Sequence, residues 1–227
     1  MIFTTLLIDL DETLYPPGCG VWEAISDRIE HYIHHRLGVP LEEVHYLRRS
    51  LFQQYGTTLR GLQATREVDT DDFLRYVHDV PLGSLIQPDP ELHQALLRYP
   101  QRRLIFTNAD RMHAQRVLTQ LGLASVFAGI IDIHDLAPYC KPMPEAYQTA
   151  LRLAGEPDPA RVVFVDDSPR NLAGARAAGL YTVQVGSPKP GVQHPESGAH
   201  LYVASLKDLP SVLAPGGKPP DSNEETP

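Results

Sequence analysis

Ile2-Phe3-Thr4-Thr5-Leu6-Leu7-Ile8-Asp9-Leu10-Asp11-Glu12-Thr13 opens as an apolar run and ends in two carboxylates one residue apart. The run predicts a buried β-strand over 2–9. Because a strand sends alternate side chains to one face, Asp9 and Asp11 are expected to point together at its carboxyl end. Two carboxylates so placed can divide the labour of nucleophile and proton shuttle, which suits phosphoryl transfer through a covalent intermediate. The same pattern also occurs in loops and metal sites, so the rest of the chain has to choose between them.

Beyond this strand, Tyr15-Pro16-Pro17-Gly18-Cys19-Gly20 tolerates neither helix nor strand. From Trp22 to about Val80 apolar residues recur at helical spacing (Trp22, Ile25, Ile29, Tyr32, Ile33, then Val44, Leu47, Leu51, Tyr55) without a convincing strand. Breaks at Gly38-Val39-Pro40, Gly56, Gly61 and Pro81-Leu82-Gly83 predict roughly four helices, an all-helical insert over 16–85. Past Leu85, short β-like runs at 103–107, 129–133, 162–166, 181–185 and weakly 201–203 alternate with amphipathic stretches near 91–99, 111–121, 144–154 and 169–178. That alternation predicts an α/β fold, a parallel sheet covered by helices, with the first strand in the same sheet. The core is therefore expected over 1–15 and 86–210. The Pro- and Gly-rich stretch 211–227 buries too little apolar surface to order itself and is expected to be a disordered tail.

Composition narrows the function. In 227 residues 42% are hydrophobic, enough for a sizeable core, and the net charge of −8 disfavours a nucleic-acid polymer or an anionic membrane surface as partner. Two cysteines, Cys19 and Cys140, build no disulfide framework, and neither a signal segment nor a long apolar span is visible. A soluble, cytoplasmic protein, monomeric or a weak homodimer, is the expectation. The ten histidines lie scattered and away from clusters of metal-ligand spacing, so zinc is not expected. His134-Asp135 reads as a loop cap.

In open α/β sheets ligands bind beyond the carboxyl ends of the strands. Strand 103–107 ends in Thr107-Asn108-Ala109-Asp110, whose hydroxyl, amide and backbone N–H groups suit phosphate oxygens and suit helix capping equally well. Lys141, between Cys140 and Pro142 ahead of a helix, is placed to neutralise a phosphoryl group. Strand 162–166 delivers Asp166 and Asp167 into Ser168-Pro169-Arg170-Asn171. Two adjacent acids repel, and either a hard divalent cation or the positive end of the next helix relieves them.

In order and context, Asp9-x-Asp11-x-Thr13, Thr107-Asn108, Lys141-Pro142 and Asp166-Asp167 resemble the four motifs of the haloacid dehalogenase-like hydrolase superfamily. The resemblance implies a Rossmann-like doubly wound parallel sheet with an inserted all-helical cap domain of the first type. Further segments are similar to its pyrimidine 5′-nucleotidase branch: Asp9 to Pro16, Tyr55-Gly-Thr-Thr-Leu-Arg60-Gly-Leu62, Val77-His78-Asp79-Val80, Pro88-Asp-Pro-Glu91 and Asp166 to Asn171. It implies that Asp9 attacks a phosphate monoester and that Asp11 protonates the leaving oxygen and later activates water. Mg²⁺ is implied on Asp9, the backbone carbonyl of Asp11 and a carboxylate of Asp166 or Asp167, with Asp167 favoured. Lys141, Thr107, Asn108 and loop N–H groups would receive the phosphoryl group of a small phosphorylated metabolite.

Asp11 disfavours dehalogenation, which has no leaving oxygen to protonate. A sugar-phosphate phosphatase, a phosphomutase or a non-catalytic protein of the same fold remain as alternatives. In the cap, Arg60 between two glycines is the candidate for substrate specificity. The aromatic residues Tyr15, Phe52 and Tyr55 are candidates for stacking on a base, although the spacing of Phe52 and Tyr55 also fits core packing.

Overall fold

The structure is a computed structural model that describes residues 2–186, 198–209 and 213. Strand β1, Thr5–Ile8, is hydrogen-bonded on both sides and every one of its residues is buried. Its neighbours are β2 (Arg102–Phe106) and β4 (Val162–Asp166). With β3 (Gly129–Ile131), β5 (Tyr181–Val185) and β6 (Leu201–Val203) they form one parallel sheet in the order β3-β2-β1-β4-β5-β6. The chain grows outward from β1 to β2 and β3, then returns to the other side of β1. That reversal opens a crevice at the carboxyl ends of β1 and β4, as doubly wound sheets do.

Alternation along β1 explains the two layers that cover it. Leu6 and Ile8 enter a core with Leu92 and Leu96 of α6 (Pro90–Leu97) and Ala114, Val117 and Leu118 of α7 (Arg111–Leu121). Leu7 enters the opposite core, with Phe106, Phe164, Ala146, Tyr147 and Ala150 of α8 (Pro144–Ala154), and Leu172 and Ala175 of α9 (Pro169–Ala177). Full burial of such side chains contributes about 1.5–3 kcal/mol each. Small residues on α8 and α9 let those helices lie close to the aromatic face of the sheet.

Between β1 and β2 the chain is helical throughout: α1 (Val21–Leu37), α2 (Leu41–Tyr55), α3 (Thr58–Thr65), α4 (Thr70–Val77) and the single turn α5 (Leu82–Leu85). Thr57 and Asp69 start α3 and α4 by accepting the backbone N–H groups of Arg60 and Asp72. One expected break is corrected and another gains a second role. Gly61 does not end a helix but sits inside α3, where an added Cβ would lie 2.6 Å from Leu51 Cβ of α2. It is small because two helices touch there. Pro81-Leu82-Gly83 does not merely interrupt but initiates α5, proline being tolerated at a helix start.

The lead strand is also shorter than expected. It stops at Ile8, and residues 11–13 form a turn with Glu12 at φ +58°. Asp9 and Asp11 therefore reach one cleft through a turn beyond the strand, not through the pleat. Of the expected tail 211–227 only Leu213 is described, and it is buried with its carbonyl accepting from Gln101 Nε2. The remainder lies outside the described residues.

Candidate active site

Lys141 is the centre of the site because it is a buried cation. Its side chain is 1% exposed, and Nζ lies 2.8 Å from Asp9 Oδ1, 2.8 Å from Asp166 Oδ2 and 2.8 Å from the Phe106 carbonyl. The ammonium group has three donors, and all three are taken. Burial alone would drive its proton off, but Asp166 and Asp9 outweigh that and hold the pKa above the ordinary lysine value. The loop before α8 is fixed from across the sheet: Asn108 Oδ1 accepts the Lys141 N–H at 2.9 Å and Asn108 Nδ2 donates to the Lys141 carbonyl at 3.0 Å.

Asp9, at the end of β1, is buried, and burial pushes its pKa well above the ordinary carboxylate value; Lys141 counteracts this while Asp166 and Asp167 add to it. Oxygens of Asp9, Asp166 and Asp167 lie within 4.8 Å of one another. Asp166 is completely buried and saturated: it accepts from Lys141, Asn171 Nδ2 and the Ser168 N–H, so it also serves the start of α9. Asp167 is less engaged, one oxygen accepting from Thr13 Oγ1 at 3.2 Å. Burial and the neighbouring Asp166 push it up to about 7. Three hard oxygen donors sharing excess negative charge fit a divalent cation of the magnesium type, with Asp167 the carboxylate freest to ligate it.

Asp11 stands apart from this cluster. Tyr15 Oη donates to Asp11 Oδ1 at 2.5 Å, and His113 Nε2 lies 2.8 Å from the same oxygen. Burial would raise the Asp11 pKa, but His113 and Tyr15 outweigh it and lower it. Thr107 Oγ1 accepts the Ala109 N–H at 2.9 Å, which starts the turn into α7, and its own proton remains available. The backbone N–H groups of Asp11 and Asn108 find no acceptor among the described residues.

The structure thus brings Asp9, Asp11, Thr107, Asn108, Lys141 and Asp167 to one cleft of about 530 Å³ between sheet and cap, with Asp166 directly beneath. Two expectations change. The Asn108 amide is occupied in fixing Lys141, which leaves its backbone N–H for an anion. Arg60 does not reach the cleft; it is buried, and its guanidinium donates to the carbonyls of Ile133 and Tyr139 and to Gln63 Oε1. A rigid fork of N–H groups close to bare core carbonyls is drawn to them, so Arg60 fastens the cap to the core.

Tyr15 is likewise buried on Asp11 rather than free to stack, and Tyr55 is partly buried in the core. Phe52 does line the cleft, exposed. Sequence reasoning missed Trp22, a second exposed aromatic lining the cleft, and His113, and gave His78 no role beyond the resemblance of the segment 77–80. The sole sequence hint of His113 is its position three residues after the capping Asp110.

A parallel sheet with an inserted helical segment and carboxylates at its crevice defines a Rossmann-like α/β fold. The chain belongs to the haloacid dehalogenase-like hydrolase family, whose model matches residues 3–179. It is 30% identical over 188 residues to phosphate metabolism protein 8 of Saccharomyces cerevisiae, a match covering 76% of this chain and 58% of that protein. It is 32% identical over 224 residues to the plasmid-encoded phosphoglycolate phosphatase of Cupriavidus necator, covering 93% of this chain and 94% of the other.

Among solved structures it resembles the magnesium-bound HAD-hydrolase YfnB of Bacillus subtilis (TM-score 0.63, 19% identity, 94% of this chain and 99% of that one). It also resembles L-2-haloacid dehalogenase of Xanthobacter autotrophicus (TM-score 0.59, 18% identity, 93% and 98%). At such identities the likeness concerns the fold, and the chemistry has to be argued from the site. Among the described residues no helix is long and apolar enough to cross a membrane.

Proposed function

We propose that this chain is a Mg²⁺-dependent phosphatase that hydrolyses small phosphate monoesters through an aspartyl-phosphate on Asp9, with nucleoside 5′-monophosphates, pyrimidine ones foremost, as substrates. The observation that carries the reading is the pairing of two differently held carboxylates in one cleft, Asp9 on a buried lysine beside Asp166 and Asp167, and Asp11 on Tyr15 and His113. A divalent cation beside Asp9, Asp166 and Asp167 would favour the ionised, nucleophilic form of Asp9 that burial disfavours.

In the first half-reaction an Asp9 oxygen attacks phosphorus and the ester P–O bond breaks as the Asp11 proton passes to the leaving oxygen. In the second, water attacks the phosphoryl group, gives a proton to Asp11, and the Asp9–phosphorus bond breaks. The negative charge of the bound ester raises the proton affinity of Asp11 above its lowered value without substrate, so Asp11 enters the cycle protonated, ends protonated, and the cycle closes. The Thr107 hydroxyl and the free N–H groups of Asp11 and Asn108 receive the phosphoryl oxygens, while Lys141, its three donors held by Asp9, Asp166 and the Phe106 carbonyl, fixes the nucleophile and supplies nearby positive charge. Asp9, Asp167 and the Asp11 carbonyl, with Asp166 beneath, would hold Mg²⁺, which would supply positive charge against those oxygens.

The far wall supports the substrate class. Trp22, Ile25, Ile29, Phe52, Phe73 and Leu74 line it. Arg49, also on it, has no ion-pair partner among the described residues. An apolar wall with two reachable aromatic rings suits a base and ribose, and the cleft volume falls in the range of small-molecule sites. The similar Cupriavidus protein is a phosphoglycolate phosphatase, which favours a second reading, a small polar acid; the apolar wall weighs against it.

The test is a panel of nucleoside monophosphates, phosphoglycolate and sugar phosphates, each with Mg²⁺ and with chelator, on the wild type and on Asp9→Asn. Phosphate release confined to wild type with Mg²⁺, highest on nucleoside monophosphates, is the expected result. Release that survives in D9N overturns the mechanism, and preference for phosphoglycolate overturns the substrate class.

A further inference from the structure

The cap and the acid–base residue are linked by a buried chain of side chains that the proposed reaction has not yet used. Asp110 begins α7: its Oδ1 accepts the backbone N–H of His113 at 2.9 Å, and its Oδ2 pairs with Nδ1 of His78, the residue that closes cap helix α4. The His78 ring lies on the His113 ring, centroids 4.2 Å apart and 19° from parallel. The His113 side chain is wholly buried, and Nε2 makes its one polar contact, to Asp11. Arg116 completes the joint by donating to the carbonyls of His78 and Val80 at 2.7 Å each.

Asp11 is gripped asymmetrically. Tyr15 and His113 both reach Oδ1, whereas Oδ2 has no partner among the described residues. Oδ1 accepts from both sides, Tyr15 through its hydroxyl and His113 through Nε2–H, and the buried Nδ1 of His113 has no hydrogen-bond partner among the described residues.

We propose that His113, backed by His78 of the cap, is the positioning residue for Asp11, holding it by Oδ1 so that Oδ2 alone carries the proton to and from the reacting oxygens. This rests on the acid–base role proposed above for Asp11. As Oδ2 gives up its proton, charge develops over the carboxylate, and two donors already aimed at Oδ1 stabilise it without rearrangement. The same grip keeps Oδ2 at a fixed place for the return proton from water. Because His78 belongs to the cap, seating of the cap on the core is part of what fixes the acid.

The experiment compares kcat/KM, which covers the steps through transfer to Asp9, on a nucleoside monophosphate and on p-nitrophenyl phosphate, whose phenolate leaves without help from an acid. His113→Leu is expected to lose about tenfold or more on the nucleotide beyond its loss on the aryl ester, since general-acid catalysis is worth roughly 10²–10⁴. His113→Gln, whose amide N–H reaches the place of Nε2, is expected to recover most of that selective loss. Tyr15→Phe and His78→Phe, which keep the rings, are expected to show the same selectivity more weakly and keep the test open if H113L does not fold.

Asp11→Asn separates the two layers of inference. If D11N loses no more on the nucleotide than on the aryl ester, the acid–base reading of Asp11 fails. If D11N is selective but folded H113L and Y15F lose equally on both esters, the role of His113 is overturned.

Discussion

Two carboxylates and one lysine share a space from which water is nearly absent, and their mutual dependence yields sharp expectations. Replacing Lys141 by Met leaves Asp9 and Asp166 buried without their cation. Breaking a buried pair by removing one partner costs about 3–5 kcal/mol, so denaturant unfolding at pH 7 should register a loss of that order. The loss should shrink as pH falls, because the raised proton affinity of Asp9 lets it neutralise itself. The pair Asp9 and Asp167 adds a second expectation. Asp167 moves from an ordinary value of 3.8 to about 7, so between those limits the native state binds more protons than the unfolded chain. Stability of the metal-free protein therefore falls as pH rises through that window. A divalent cation needs the carboxylates ionised, so the rise in Tm on adding Mg²⁺ should be larger at pH 8 than at pH 5. An equal rise at both would show that the cation binds elsewhere.

At the scale of elements, the cap is fastened where α2 turns into α3. Gly56 sits there at φ +87°, and a Cβ on it would lie 2.7 Å from Cys140 Sγ and 3.2 Å from the Lys141 carbonyl. Gly56→Ala should lower both Tm and kcat, because the loop carrying Lys141 has to shift; Cys140→Ala in the same chain should restore part of the loss, as residues in contact are not additive. Arg60→Leu should cost about 2 kcal/mol or more by leaving the Ile133 and Tyr139 carbonyls without their charged donor, with the order of preferred substrates unchanged. A changed order would return Arg60 to the substrate. The helices themselves were largely legible in the sequence, since apolar periodicity, prolines at α6, α8 and α9 and glycines after α1, α7 and α8 mark their ends. Gly61 was misread because a glycine that permits helix contact looks, in one dimension, like a glycine that ends a helix.

For the whole molecule, the cleft lies between a catalytic floor made by strand ends and a wall made by the cap, so binding should be felt on both. Trp22 is the sole tryptophan of the chain and lines that wall. In D9N with Mg²⁺, a nucleoside monophosphate should alter Trp22 emission saturably, and phosphoglycolate, with no ring to stack, should alter it less; equal responses would place the base away from Trp22.

The sequence by itself determined the sheet and the order of its motifs, because strand burial, helix periodicity and turn chemistry are local and because Asp9, Thr107, Lys141 and the Asp166-Asp167 pair each sit at the end of a segment that must be a strand or open a helix. Tertiary structure alone decided which groups meet. His113 and Asp11 are 102 residues apart and His78 and Asp110 are 32 apart, with no pattern linking them. It also decided which side chains are spent, Asn108 on Lys141 and Arg60 on core carbonyls. A donor bonds whatever unpaired acceptor the packed fold puts within reach, and that distance is set by the folded whole.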